Sequence, residues 1–437
     1  MNAQTTVQLA KLGESTPNFP RPPRSIDETG LSFPFLVELT TKALFIRGQS
    51  RLSELSRQLK LAPTLLETLL GFMRTERICE VAKRGDTDGD VQYQLTDGGR
   101  ARASEFLQKS QYAGAAPVSL ADYSRQIQQQ AIGGMSVEHA ALDNAFAGLV
   151  IKTHIREQLG AAMNSGRAMF LYGPAGSGKT YLAEQLARLL SGDVAIPHAI
   201  VVDDQVIQVF DPLVHHPIED EKAPVERLDR NQRIDPRWVL CRRPVALTGG
   251  ELTMDMLDLD FDATTRFYQA PPHVKANNGI FIVDDLGRQV ISPRQLMNRW
   301  IVPMDRRCDY LKLHNGYKFV IPFDVILVFS TNMKPSEVAD EAFLRRLGYK
   351  IHVGPMEESE YRAIFKRVCE EQGVPFTEEA IDYLIHDLHH REQKPLLACN
   401  PRDIVCQVKD FATYRGVQPE MNRAELDWAW RNYFASH

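Results

Sequence analysis

Residues 173 to 180 read Gly173-Pro174-Ala175-Gly176-Ser177-Gly178-Lys179-Thr180, a glycine-rich run ending in an ammonium and a hydroxyl. It follows an apolar, strand-like run from Ala168 to Tyr172. It opens a helix-like run from Tyr181 to Leu190, which Gly192 can stop. Glycines let backbone N–H groups converge on phosphate oxygens with no Cβ atoms in the way, and a helix N-terminus adds positive potential. A lysine at this spacing reaches the β and γ phosphates, and the following hydroxyl can ligate Mg²⁺. The pattern predicts a nucleoside triphosphate site, with Gly173 to Thr180 as its cradle.

Carboxylates appear where such a site needs them. Gly279 to Val283 is an apolar run ending in Asp284-Asp285, the pattern of a buried parallel strand. Such strands deliver side chains to their C-terminal ends, where open α/β sheets bind ligands. A second apolar strand, Val325 to Phe329, continues through Ser330-Thr331 to the amide of Asn332. Beyond it stands Asp340-Glu341-Ala342-Phe343-Leu344-Arg345-Arg346. Later, Asn400-Pro401-Arg402 combines a helix cap, a proline at the first helical position and an arginine in the first turn. An arginine there opposes the helix dipole, so it needs another partner.

In this order the segments resemble the AAA+ ATPases: P-loop, Walker B, sensor 1, arginine finger, sensor 2. The resemblance covers about residues 137 to 434 and implies ATP and Mg²⁺ as cofactors, with Thr180 and Asp284 on the metal. It implies that Asp285 orients or deprotonates the attacking water and that Asn332 helps to position it. Arg345 or Arg346 would reach the γ-phosphate held by a neighbouring subunit, and Arg402 would contact it from the lid. Two departures stand out. Asp285 replaces the usual glutamate and is one methylene shorter, which implies slow hydrolysis. Cys399-Asn400 stands where Gly-Ala or Gly-Asn is more usual.

Other stretches narrow the resemblance. Asn315-Gly316 between Tyr310–His314 and Tyr317–Ile321 is a strong hairpin signal, similar to a pre-sensor-1 insertion. Lys275-Ala276-Asn277-Asn278-Gly279 resembles the Ala-x-x-Gly lead-in of MoxR-type and magnesium-chelatase-type ATPases. Residues 240 to 275 could hold the helix-2 insertion of that branch, with Phe267-Tyr268 as core packing rather than a pore element. The string from Arg237 to Lys350, with the N-terminal part, resembles a bacterial family of predicted ATPases with chaperone activity, associated with Flp-type pilus assembly.

The elements that must position these residues divide the chain as follows. Residues 1–28 are polar and proline-punctuated, a disordered lead-in. Residues 29–110 read as three helices (Phe33 to Ile46; Ser50 to Leu59 with Ser50 as cap; one from near Pro63) and a hairpin turning at Asp86 to Gly89. This resembles a winged helix. Its third helix offers Thr64, Glu67 and Thr68 outward, with Arg74 and Arg77 only at its end, a poor face for reading DNA, so protein docking is the better reading. Residues 111–136 form a connector, 137–355 the α/β nucleotide-binding domain and 356–437 a helical lid. The fold class expected is thus an α/β P-loop NTPase with a C-terminal lid and an N-terminal winged helix.

Composition is that of a globular chain: 43% hydrophobic, 24% charged, net charge −5, and six scattered cysteines with no CxxC pair. No apolar run approaches bilayer length, and the N-terminus lacks a secretion signal, so a cytoplasmic location is expected. His386, His389 and His390 read as a solvated helix end rather than a metal site, and His215-His216 as loop. The function implied is an ATP-driven homo-oligomeric ring, expected to be a hexamer, that remodels or assembles a protein partner such as a pilus-assembly component. A DNA-acting motor or loader and a slow nucleotide switch are the alternatives.

Overall fold

A computed structural model describes residues 19–84, 91–218 and 234–434. The N-terminal part packs helices α1 (Phe33–Arg47), α2 (Leu52–Leu59) and α3 (Pro63–Thr75) against strands β1 (Gln49–Arg51), β2 (Cys79–Arg84) and β3 (Val91–Leu95), followed by α4 (Asp97–Lys109). The sheet order is β1-β3-β2, antiparallel throughout. Apolar residues at helical spacing, Leu65, Leu66, Leu69, Leu70 and Met73, turn one face of α3 into the core. Ser50 does not cap α2. It pairs with Tyr93 inside β1, and Arg51 occupies the cap position. The turn expected at Asp86 to Gly89 lies outside the described residues.

The lead-in, expected to be disordered, and the connector are both built in over their described residues. Residues 1–18 lie outside the described residues, but from Phe19 the lead-in is packed: Phe19 lies against a buried cluster and Pro20 O accepts from Asp235 N. The connector carries β4 (Val118–Ser119) and α5 (Leu120–Gln129), with Tyr123 and Ile127 buried. Arg237 explains part of the docking. Its guanidinium pairs with Asp235 in a buried site and donates to Thr29 O and Pro117 O, tying three segments together.

After α6 (His139–Ala145) and α7 (Thr153–Ser165) come β5 (Met169–Tyr172) and α8 (Lys179–Gln185). The chain then builds a second layer from β6 (Asp193–Pro197), β7 (Ala199–Val202), β8 (Gln205–Gln208) and β9 (Trp238–Arg242). Next are β10 (Val245–Thr248), β11 (Asp260–Phe261), β12 (Tyr268–Gln269), α9 (Pro272–Lys275) and β13 (Gly279–Val283). The second sheet runs β11-β12-β8-β7-β4, while β6 and β9 form a separate ribbon. These added strands begin at Asp193, well before the stretch at 240–275, and β10 inside that stretch belongs to the main sheet. Tyr268 is buried and Phe267 packs on Tyr112. His215, expected in a polar loop, is fully buried: its Nδ1 accepts from Asp211 N and its Nε2 meets Lys275 O.

α10 (Pro293–Arg306), the hairpin β14 (Cys308–Lys312) and β15 (Lys318–Pro322), then β16 (Val325–Thr331) follow. α11 (Pro335–Val338) and α12 (Glu341–Leu344) lead to β17 (Tyr349–His352). The main sheet is parallel, ordered β10-β13-β16-β5-β17. The protein is thus a mixed α/β fold around a parallel sheet. Alternation along its strands feeds two cores: Met169, Leu171, Ile280, Ile282, Ile326 and Val328 face one side, and Phe170, Phe281, Val283, Leu327 and Phe329 the other. A sheet buried on both faces reads as near-continuous apolar runs, and that periodicity made β13 and β16 legible.

The C-terminal part packs α13 (Glu358–Gln372), α14 (Glu378–Asp382), α15 (Asn400–Arg415) and α16 (Arg423–Phe434) around Tyr361, Phe365, Ile381, Val408 and Trp430. Gly373 stops α13 at φ 70° and Thr377 caps α14 through Ala380 N. Asn400 accepts from Leu397 N rather than capping forward, so α15 starts one residue earlier than expected. The histidines 386–390 are not a solvated end throughout. The backbone over Tyr383–His389 is π-helical and turns His389 fully inward, where its Nε2 meets Tyr361 OH at 2.9 Å.

Candidate nucleotide site

β5 ends at Tyr172 and the chain turns through Gly173, Gly176 and Gly178 at φ 149°, 79° and 91° before α8 begins at Lys179. These angles lie where L side chains are strained. Sterics agree: a Cβ on Gly173 would stand 2.1 Å from Val353 O, and one on Gly176 would stand 2.4 Å from Cys399 Sγ. The glycines thus serve the loop's own close packing.

Strands β13 and β16 bring their ends to the same place, because all run parallel and neighbour β5 in the order β13-β16-β5. Lys179 Nζ donates to Gly173 O (3.1 Å), Pro174 O (2.9 Å) and Asn332 Oδ1 (2.8 Å). Thr180 Oγ1 donates to Asp284 Oδ2 at 2.8 Å. Burial holds the Lys179 ammonium below its usual pKa, opposed by the carboxylates of Asp284 and Asp285. Two buried oxygens in this cluster have no hydrogen-bond partner, Asp284 Oδ1 and Ser177 Oγ. Buried polar atoms are ordinarily satisfied. A carboxylate oxygen left bare beside a hydroxyl is a donor set of hard oxygens, which fits Mg²⁺.

Asp285 adopts φ 48°, in the left-handed region. The turn after it is closed by Leu286 N donating to Ser330 O and Arg288 N to Asp285 O. Gln289 braces it, donating from Nε2 to Asp284 O and Gly249 O. As a result Asp285 and Arg288 sit side by side at the cleft, 3.5 Å apart. Arg288 and Gln289 carried no expectation from sequence, although Gly287, five residues before the Ser292 cap of the next helix, was a usable signal of a tight turn.

The cleft these residues line has a volume of about 640 Å³. Its far wall is apolar, from Leu149, Val150, Ile151, Ile364 and Val368, with Arg367 and Lys152 at the rim. None of these belonged to a motif. Arg402, in the first turn of α15, also lines the cleft, and Cys399 N donates to Gly176 O at 3.1 Å, so the C-terminal helices rest directly on the loop. The space at Cys399 is the one denied to a Cβ on Gly176. Arg345 and Arg346 are elsewhere. They line a separate cavity with Arg167, Asp305 and Arg307. Arg345 pairs with Glu341 in an exposed i,i+4 bridge, whereas Arg346 grips Asp305 through Nε and donates to Ala342 O.

A family model described as "Domain of unknown function (DUF8689)" matches residues 357–432, the C-terminal helices. No curated protein matches the chain. Solved structures similar to it include NtrX from Brucella abortus in complex with ADP, at 13% identity and a TM-score of 0.37, covering 62% of this chain and 53% of that one. They also include the Thermotoga maritima RuvB Holliday junction branch migration motor, at 12% identity and a TM-score of 0.37, covering 64% and 69%. The chain spans about half the length of the NtrX structure. No helix among the described residues is long and apolar enough to cross a membrane.

Proposed function

We propose that the chain is an AAA+ ATPase that works as a homo-oligomeric ring, expected to be a hexamer in a cytoplasmic setting, and remodels or assembles a protein partner. One observation carries the reading: Lys179, Thr180, Asp285, Asn332 and Arg402 line one cleft, with Asp284 hydrogen-bonded behind Thr180, while Arg345 and Arg346 stand outside it. That division suits a site completed by an arginine from an adjoining copy. Gly173 to Thr180 would hold the triphosphate of ATP. Thr180 and Asp284 would hold Mg²⁺, which when bound supplies charge neutralisation of the phosphates. Asn332, already hydrogen-bonded to Lys179, would orient a water that Asp285 deprotonates. Arg402 would report on the γ-phosphate from the lid. Arg345 suits the finger better than Arg346: an exposed i,i+4 bridge is worth little and is easily released, whereas Arg346 is spent on Asp305 and a carbonyl.

A winged-helix unit at 29–110 would recruit the partner. The outward face of α3 supports protein over DNA, since it presents Thr64, Glu67 and a half-exposed Phe72 with no basic row. A MoxR-like branch and a pilus-assembly partner remain part of the reading on the sequence resemblance alone. The deciding experiment measures ATP hydrolysis per chain against protein concentration, with and without duplex DNA. Activity that vanishes on dilution and ignores DNA is expected. Activity independent of concentration would remove the ring, and stimulation by DNA would favour a DNA-acting motor.

A further inference from the structure

The cavity that holds Arg345 and Arg346 contains two more guanidinium groups, those of Arg167 and Arg307. It measures about 410 Å³ and lies at the N-terminal ends of the central strands, bounded by Ala168 before β5 and by Val325 at the start of β16. Asp305 is its one carboxylate, and Arg346 occupies it. Among the described residues, neither Arg167 nor Arg307 has a carboxylate within ion-pair distance. The Arg307 guanidinium donates to Gly166 O, from a backbone held at φ 53°. Four guanidinium groups against two engaged carboxylates, Asp305 on Arg346 and Glu341 on Arg345, in a chain of net charge −5, is still a local excess of like charge. Like charges drawn into one concavity repel, and an arriving polyanion relieves that cost. Planar, always-charged guanidinium groups match phosphate oxygens in geometry.

The chain's own nucleotide cannot be that anion. Its cleft is at the opposite ends of the same strands, and a seven-residue strand such as β16 separates the two by roughly 20 Å. Resting on the ring reading above, we infer that Arg167 and Arg307 join Arg345 in receiving the polyphosphate of a nucleoside triphosphate held by a second copy of this chain. Arg346 and Asp305 form the fixed frame, and the three other arginines are the receiving set. Nucleotide charge then controls assembly: the triphosphate state draws copies together more strongly than the diphosphate state.

The test uses the full chain with Mg²⁺ and either ATP or ADP. Arg167→Gln/Arg307→Gln is compared with Arg306→Gln, an adjacent exposed arginine that does not line the cavity. Self-association is measured by sedimentation in an Asp285→Asn background that retains ATP. The double variant should weaken ATP-dependent association by about ten-fold or more, with little change in ADP and an unaltered melting curve. The Arg306 variant should match the parent. A mixture of the double variant with Lys179→Ala should recover hydrolysis that neither shows alone, because one supplies the cleft and the other the arginines. Wild-type association and hydrolysis in the double variant would overturn the inference and leave the ring reading standing, as would failure of the mixture to recover activity. A wild-type chain that neither associates with ATP nor hydrolyses it would sink both.

Discussion

At the scale of single residues, the site depends on a few atoms whose surroundings define their roles. Lys179 is held between two loop carbonyls and Asn332 Oδ1, so a phosphate must outcompete these three acceptors. Lys179→Ala should reduce ATP binding and lower hydrolysis by about 10²-fold or more, measured by nucleotide titration and phosphate release. Asp285→Asn keeps the shape and removes the carboxylate proposed as the base. Hydrolysis should fall by roughly 10²–10⁴-fold while ATP affinity is retained; undiminished hydrolysis would take Asp285 out of the mechanism. Gly279 carries a packing constraint of a different kind. A Cβ there would stand 1.9 Å from Pro244 O, wedging β13 away from its neighbour β10. Gly279→Ala should cost about 1–3 kcal/mol, read from a denaturant melt.

At the scale of elements, buried polar groups join pieces that sequence separates. Asn278 is the hub where α5, β13 and the segment before β16 meet. Its Nδ2 donates to Ile127 O and Asp324 Oδ2, and its Oδ1 accepts from Gln130 Nε2. Gln130 in turn both donates to and accepts from the backbone of Ala195. Histidines show the same economy. Burial holds His198, His215 and His389 neutral, with pKa values lowered to about 4. In an unfolded chain they titrate near 6.5. The neutral form is therefore the one that folding favours. Stability should be complete above pH 6.5 and fall as pH drops towards 4, by about 1.4 kcal/mol per unit of depression for each group. Denaturant melts across that window check it, and a flat profile would mean that water reaches these rings.

At the scale of the whole molecule, the N-terminal unit is not a bead on a string. Its core continues through Tyr112 and Ala116 into Ala199 and Val206 of the second sheet. Connector residues reinforce the join, with Ala116 N donating to Leu59 O and Gln111 N to Thr265 O. Deleting residues 1–110 should therefore lower the melting temperature of the remainder and expose apolar surface, detected by dye binding. An unchanged melt would show that the unit is a separable module.

Local chain chemistry was enough to spell out the phosphate loop, the two buried strands ending at Asp284 and Asn332, the hairpin at Asn315-Gly316 and the cap at Thr377. Each depends on residues a few positions apart: positive φ at glycine, alternation along a strand, an oxygen facing a bare helix end. The contacts made between distant segments were not legible in this way. Nothing near Cys399 announces that it rests on Gly176, nothing near His389 announces Tyr361, and the polar stretch at 111–136 gave no sign that its backbone would pair with β7. The identical-looking pair Arg345-Arg346 was divided only by folding, which set Asp305 beside one guanidinium and left the other in an exposed bridge to Glu341. Burial and long-range pairing are properties of the packed chain, so tertiary structure alone could assign them.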